Sequence, residues 1–254
     1  MPLDGKRIVV TGGTGGVGQP LVQGLLSRGA QVTLLGRTPP PEAPRLEHIP
    51  ADFATERGLI AAAATLSSLR ADSLVHLAGE QYFGLFDQQA PADILRSYHI
   101  NLAAPALLSR AVLPGMKARG SGHIIFAGSV FGSIPFAHFA AYSSAKAGLA
   151  ALALALSREN AGSGVSFTCA VPRAIRTAMA SERIRKFATV AGFKFDDPQS
   201  VAKRLLAIIE SGHGDMGPGF PESLFMRLHG IAPSLVTAGV RGTNAKARRL
   251  LSSE

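Results

Sequence analysis

Cysteine is almost absent. Cys169 is the single one in 254 residues, so no internal disulfide framework holds the fold and a hydrophobic core must do so. Charged residues are also sparse, at 17% against 46% hydrophobic, which excludes a disordered or low-complexity chain. Long apolar runs are missing too. The longest near the middle, Ala147 to Leu156, falls short of the roughly 20 residues that cross a bilayer. The opening Met1-Pro2-Leu3-Asp4-Gly5-Lys6-Arg7 is followed by a very short apolar run, and no secretory signal is expected. The histidines lack metal-ligand spacing, so no metal is expected. The chain reads as a cytoplasmic globular protein with no internal repeat and no linker-like break.

Acids are scarce relative to bases, and the net charge of +9 invites a nucleic-acid reading. Its distribution argues against one. Residues 1–157 carry 12 basic and 9 acidic side chains, whereas residues 158–204 carry 9 and 4 and residues 216–254 carry 5 and 2. The surplus follows the middle of the chain and has no basic–aromatic motif with it. No nucleic-acid partner is expected.

Two hydrophobic periods alternate. Short β-branched or apolar runs at Ile8–Val10, Gln31–Leu35, Glu47–Pro50, Leu74–Leu77, His123–Ala127 and Val165–Ala170 read as strands. Helical spacing separates them, in Val17 to Leu26, Thr55 to Leu69, the region 91–117 and an Ala-Leu-rich stretch near 142–160. Strands apolar on both faces and alternating with helices predict an α/β fold, a doubly wound parallel sheet in one three-layer domain.

The first strand runs into Thr11-Gly12-Gly13-Thr14-Gly15-Gly16-Val17-Gly18, which opens the first helix. In that context the glycines serve a tight turn (Gly12), backbone approach to a pyrophosphate (Gly16) and close helix–sheet packing (Gly18). A helix N-terminus adds unpaired N–H groups and positive potential. After the second strand, where an NAD site places an acid, stands Leu35-Gly36-Arg37-Thr38. Arg37 could pair with a 2′-phosphate, which favours NADP(H), or be a solvated loop arginine.

Tyr142-Ser143-Ser144-Ala145-Lys146 puts Tyr142 and Lys146 on one helix face, and the chain has only three tyrosines. A nearby ammonium and an oxidised nicotinamide would favour the phenolate, lowering a pKa that is ordinarily about 10 by ~2–3 units. Ser129 ends the fifth strand, where ligands of doubly wound sheets bind, and could hydrogen-bond a substrate oxygen.

These motifs resemble the short-chain dehydrogenase/reductase family over roughly residues 5–215. The loop matches its Thr-Gly-x-x-x-Gly-x-Gly pattern, and Asn101, Ser129, Tyr142 and Lys146 match its tetrad in order and spacing. The resemblance implies about seven parallel strands and hydride transfer between NAD(P)H and a carbonyl or alcohol. It implies Tyr142 as general acid/base, Ser129 as carbonyl orienter, Lys146 as electrostatic and ribose-binding group, and Asn101 as relay support. For the cofactor it implies Thr11, Gly12, Thr14, Gly16, Val17, Gly18, Arg37, an Asp52-Phe53 adenine contact, the Ala78-Gly79 turn, Tyr142, Lys146, and Pro172, Ile175 and Thr177 beside the nicotinamide. Asp52 could instead cap the 55–69 helix.

Three departures stand out. Leu77 replaces the asparagine that supports the Ala78-Gly79 turn. Arg173 replaces the glycine after Pro172; it either points to solvent, shifts the nicotinamide end of the cofactor, or faces an acidic substrate. Residues 178–197, the family's lid, carry Met179, Phe187, Phe193 and Phe195 among basic residues, which suits an apolar or lipid-like substrate.

The expected domain spans 1–215, and 216–254 is an extension. Its apolar and basic residues suit packing on the same domain, a homodimer or homotetramer contact, or peripheral membrane contact through 220–250. Pro233 breaks any single helix there. A non-catalytic nucleotide-binding scaffold on the same fold is the alternative function, and the chain lacks room for a sugar-nucleotide epimerase's substrate domain.

Overall fold

A computed structural model describes residues 3–252. Six strands, β1 (Arg7–Thr11), β2 (Gln31–Gly36), β3 (Leu46–Pro50), β4 (Ser73–His76), β5 (Gly122–Ala127) and β6 (Val165–Ala170), form one sheet in the order β3-β2-β1-β4-β5-β6. Every pair is parallel. Parallel neighbours need crossovers, and helices supply them. On one face lie α1 (Gly18–Leu26) and α8 (Pro198–Ser211), which seal a core around Leu21, Leu25, Val10, Leu205 and Ile209. On the other lie α2 (Glu56–Ser67), α4 (Ala104–Ala118) and α6 (Ala140–Glu159), around Leu59, Leu108, Met116, Phe126 and Leu149. Covered on both faces, β4 is buried at all of its positions.

The fold class is the expected one, but the sheet has six strands where the resemblance implied about seven. The segment after α8 does run beside β6, with Val171 N–H donating to Met216 O at 2.6 Å. The rest of its attachment comes from side chains. The hydroxyls of Ser166 and Thr168 donate to the carbonyls of Gly212 and Gly214 at 2.7 and 2.9 Å. Gly214 has φ +138, outside the extended region, so hydroxyls on the β6 edge take the place of a backbone ladder.

Asp52 does not cap α2. Thr55 does, its Oγ1 accepting the Gly58 N–H at 3.1 Å, while the Asp52 carboxylate closes the preceding turn on the Ala54 N–H. The helical region 91–118 is α3 (Pro91–Tyr98) and α4 joined by a π-helical turn, His99–Ala103.

By length and composition α6 is able to cross a membrane, although the shorter apolar run within it had suggested otherwise. Here it lies against β5, β6 and the short helix α5 (Val130–Ser133). The lid is two tiny strands, β7 (Ala174–Ile175) and β8 (Phe195–Asp196), flanking α7 (Glu182–Ala191). Beyond it come α9 (Glu222–Ile231) and α10 (Pro233–Ser252). Ala247 of α10 is fully buried against the aromatic cluster that includes Phe187 of α7.

Candidate active site

The strand order reverses between β1 and β4, and ligands of open α/β sheets bind outside the carboxyl ends there. A cavity of about 360 Å³ opens at that place. The glycine loop, the turn after β4, Ser129, Tyr142, Lys146 and Asn101 all contribute to its walls.

The glycines are required by contact. A Cβ on Gly18 would lie 2.2 Å from Gly12 O, and one on Gly12, itself at φ +68, would lie 2.6 Å from Ala78 N. No side chain caps the N-terminus of α1; the Gln19 N–H is used on Gly15 O at 2.9 Å and Pro20 has none, which leaves the backbone N–H groups of Gly16, Val17 and Gly18 as the donors at this end. This donor set and the close-packed glycine cradle fit a dinucleotide pyrophosphate. Gly16, Val17, Gly18 and Gly79 line the cavity, as do Pro172, Ile175 and Thr177 opposite them; a Cβ on Gly16 would meet the Thr177 methyl at 2.7 Å.

Leu77 does not weaken the turn, because other groups support it. Thr11 Oγ1 accepts the Ala78 N–H at 3.2 Å, and Asn101 Oδ1 accepts the Glu80 N–H at 3.3 Å. Thr11 is therefore a buried supporting residue. Thr14 and Ala78 are partly buried beside the loop and outside the cavity lining. Arg37 and Asp52 are exposed just past the ends of β2 and β3, separate from the cavity. The Phe53 side chain is buried in the core with Leu59 and Leu66, so a contact with a ligand at this position is made by its backbone.

The tetrad converges from three elements. Asn101 is fully buried in the π-helical turn, a geometry often found at functional sites. Its Nδ2 donates to the carbonyls of Glu80 and Ser97, each at 3.0 Å. Ser129 caps α5, its Oγ accepting the Phe131 N–H at 3.1 Å. The hydroxyl also hydrogen-bonds Tyr142. Lys146 Nζ donates to Ala127 O at 2.8 Å and lies 5.7 Å from the centre of the Tyr142 ring. A Cβ on Gly79 would lie 3.0 Å from Asn101 Oδ1 and 3.6 Å from Met179 Cε, so a larger residue there would crowd the buried amide.

Electrostatics differ from the sequence expectation. Burial pushes the Tyr142 phenol up, and the Ser129 hydrogen bond offsets this only in part. Burial also lowers Lys146 to about 8, opposed by the neighbouring Cys169 thiol. The protein alone therefore keeps Tyr142 protonated at neutral pH. Low dielectric acts on both groups, and the ammonium is itself weakened by it.

Arg173 lines the cavity, and its guanidinium is held by acids of this chain. Its Nε and Nη2 both contact Asp196 Oδ1, at 2.9 and 2.8 Å, and Nη1 lies 3.9 Å from Glu222 Oε2. Its φ is not positive, so nothing local demands the family's glycine. The guanidinium ties the β6–β7 loop to β8 and α9. Asp196 Oδ2 is buried without a partner, so removing Arg173 would strand a carboxylate. Arg173→Ala should cost about 1.5–3 kcal/mol and raise amide hydrogen exchange across 174–196. Unchanged protection there would contradict a clamping role.

Beside the polar tetrad the wall is aromatic. Phe131, Phe139, Phe187 and Phe193 line the cavity, with neighbouring rings such as Phe131–Phe139 at 4.9 Å and Phe131–Phe193 at 6.0 Å between centres. Phe131 also meets Tyr142 edge to face at 6.5 Å. Of these, Phe187 and Phe193 were anticipated. Phe131, Phe139, Gln81 and Glu222 were not, although Phe131 and Phe139 stand just ahead of Tyr142 in the chain.

The chain matches the short chain dehydrogenase family over residues 6–187. It is 35% identical over 181 residues to a short chain dehydrogenase from Pseudocercospora fijiensis, covering 64% of this chain and 57% of that protein. It is 32% identical over 200 residues to the D-xylose 1-dehydrogenase of Caulobacter vibrioides, covering 69% and 74%. A short-chain dehydrogenase from Sphingobium yanoikuyae, solved with NADPH, shares the fold at a TM-score of 0.74 and 23% identity, covering 91% and 95%. The glycine cradle and converging tetrad thus sit in a chain that belongs to the short chain dehydrogenase family of NAD(P)-dependent oxidoreductases.

Proposed function

We propose that the protein is an NADP(H)-dependent carbonyl reductase or alcohol dehydrogenase acting on apolar, aromatic or lipid-like substrates. The observation that carries this reading is the cavity itself, in which a polar tetrad and a cluster of phenylalanines share the walls. A carbonyl or hydroxyl carried on an apolar body suits both.

When bound, the nicotinamide supplies or accepts the hydride. Tyr142 gives the carbonyl oxygen its proton on reduction and takes it back on oxidation. Ser129, whose oxygen accepts the Phe131 N–H and whose hydroxyl bonds Tyr142, turns its proton to the carbonyl when a substrate takes the place of that contact. Lys146 holds positive charge beside the phenol and binds the ribose. Asn101 fixes the Gly79-Glu80 turn next to Lys146. Phe131, Phe139 and Phe187 exclude water from the reacting atoms.

Arg37, exposed at the end of β2 with the nearest acid of the β2–β3 turn five residues on at Glu42, supports the NADP(H) preference through a charge-assisted pair with the 2′-phosphate. Wild-type protein should use NADPH at least about tenfold more efficiently than NADH, and Arg37→Ala should narrow that ratio by about tenfold. A preference for NADH, or a ratio unchanged by the substitution, would overturn the assignment. On a substrate panel, long apolar ketones should outperform small polar ones.

Only 33% of the most apolar stretch of α6 is buried, and Leu154 is exposed. That uncovered face supports a homodimer or homotetramer. The single free thiol, Cys169, suits a reducing compartment, and we place the protein in the cytoplasm.

A further inference from the structure

We propose that α9 and the start of α10 dock on an anionic lipid surface. The proposal goes beyond the reaction and does not depend on it. α9 packs mainly on α5 and α10, and none of its residues is fully buried. Leu224, Phe225, Leu228 and Ile231 fall at i, i+1, i+4 and i+7, so they share one face of the helix. Phe220 before the helix and Leu235 after it extend the strip. Phe220 is 76% exposed and Ile231 84%. Large side chains this bare and this contiguous mark an interaction surface.

Charge selects the partner. Between residues 216 and 252 the bases are Arg227, Arg241, Lys246, Arg248 and Arg249, and the single acid is Glu222. That acid is turned inward to Arg173 and lines the cavity. What the segment shows outward is therefore apolar surface flanked by cations of one sign. Arg227, beside the apolar strip, and Arg241 are exposed and pair with no acid among the described residues. Two copies meeting through this face about a two-fold axis would bring the same cations together. A bilayer interface with anionic headgroups offers apolar depth for the leucines and phenylalanines and negative charge for the arginines. Because α9 also touches α5, the helix capped by Ser129, docking would set the cavity beside the lipid.

The test uses the full chain and vesicles of phosphatidylcholine alone or mixed with phosphatidylserine, read by co-sedimentation without any turnover. We expect binding to the anionic vesicles that weakens with added salt. Arg227→Glu with Arg241→Glu should reduce it by more than about tenfold, and Phe225→Glu with Ile231→Glu by a similar factor. Circular dichroism should be unchanged in both double variants, which shows that they fold. Equal binding to neutral and anionic vesicles, or none to either, would overturn the proposal. So would light scattering in which the same substitutions dissociate an oligomer, because the face would then belong to a second copy. A protein that binds vesicles but reduces no ketone would leave this proposal intact and remove only the functional one.

Discussion

Replacing Tyr142 by Phe should lower kcat about a thousandfold while the dissociation constant for NADPH stays within about twofold. The substitution deletes one hydroxyl and leaves the ring that Phe131 and Lys146 contact. The large effect follows from where that hydroxyl sits. Burial keeps it protonated, Ser129 orients it, and among the cavity-lining residues it is the one acid placed between Ser129 and Lys146. The same argument gives a pH profile. Lys146, lowered to about 8, carries its charge below that pH and loses it above. Reductase activity should hold through neutral pH and fall as pH passes about 8, well below the point at which an ordinary lysine would titrate. Stopped-flow measurement of the hydride-transfer step across that range checks both. Residual activity within tenfold of wild type would point to another proton donor; full NADPH binding with no activity in wild type itself would favour the scaffold reading.

Much of this site could be read from the chain because its parts obey local rules. The glycine spacing answers a steric demand seen directly at Gly12 and Gly18, and a strand before it with a helix after it identifies the loop's purpose. Tyr142 and Lys146 needed only helical periodicity. Other features depend on partners far away in sequence. Arg173 finds Asp196 23 residues on, through two-residue strands too short to show any period. The missing asparagine at Leu77 is made good by Thr11, 67 residues before the Ala78 it holds, and by Asn101. The seventh strand failed because hydroxyls of Ser166 and Thr168 occupy the carbonyls that a ladder would have used, and a resemblance has no access to that exchange. Phe53 carries a demand that the motif alone does not show, because its apolar side chain enters the core with Leu59 and Leu66.

Acid should unfold the protein unusually early, and His76 should be the main reason. His76 is 2% exposed, stacked on Phe126 at 5.2 Å, with Nε2 at 3.2 Å from Ser109 Oγ and no partner for Nδ1. Burial, and secondarily the Lys146 charge, lower it to about 3. His123, with Nε2 on Thr168 Oγ1 at 2.9 Å and an equally unpartnered Nδ1, is lowered to about 4 by burial. Both pKa values are depressed in the folded state, so between each folded value and about 6.5 the unfolded chain binds a proton that the native one refuses. Stability is therefore fully present above about 6.5 and is lost as pH falls toward 3. At 1.36 kcal/mol per unit, His76 alone accounts for roughly 5 kcal/mol and His123 for roughly 3. Such a loss is comparable with the whole stability of a typical domain. Urea unfolding at pH 7, 6, 5 and 4 should show the midpoint dropping steeply below pH 6. His76→Leu removes the titrating ring at similar size, so it should flatten that slope whatever it does to stability at pH 7. Parallel slopes for wild type and His76→Leu would assign the acid sensitivity to carboxylates instead.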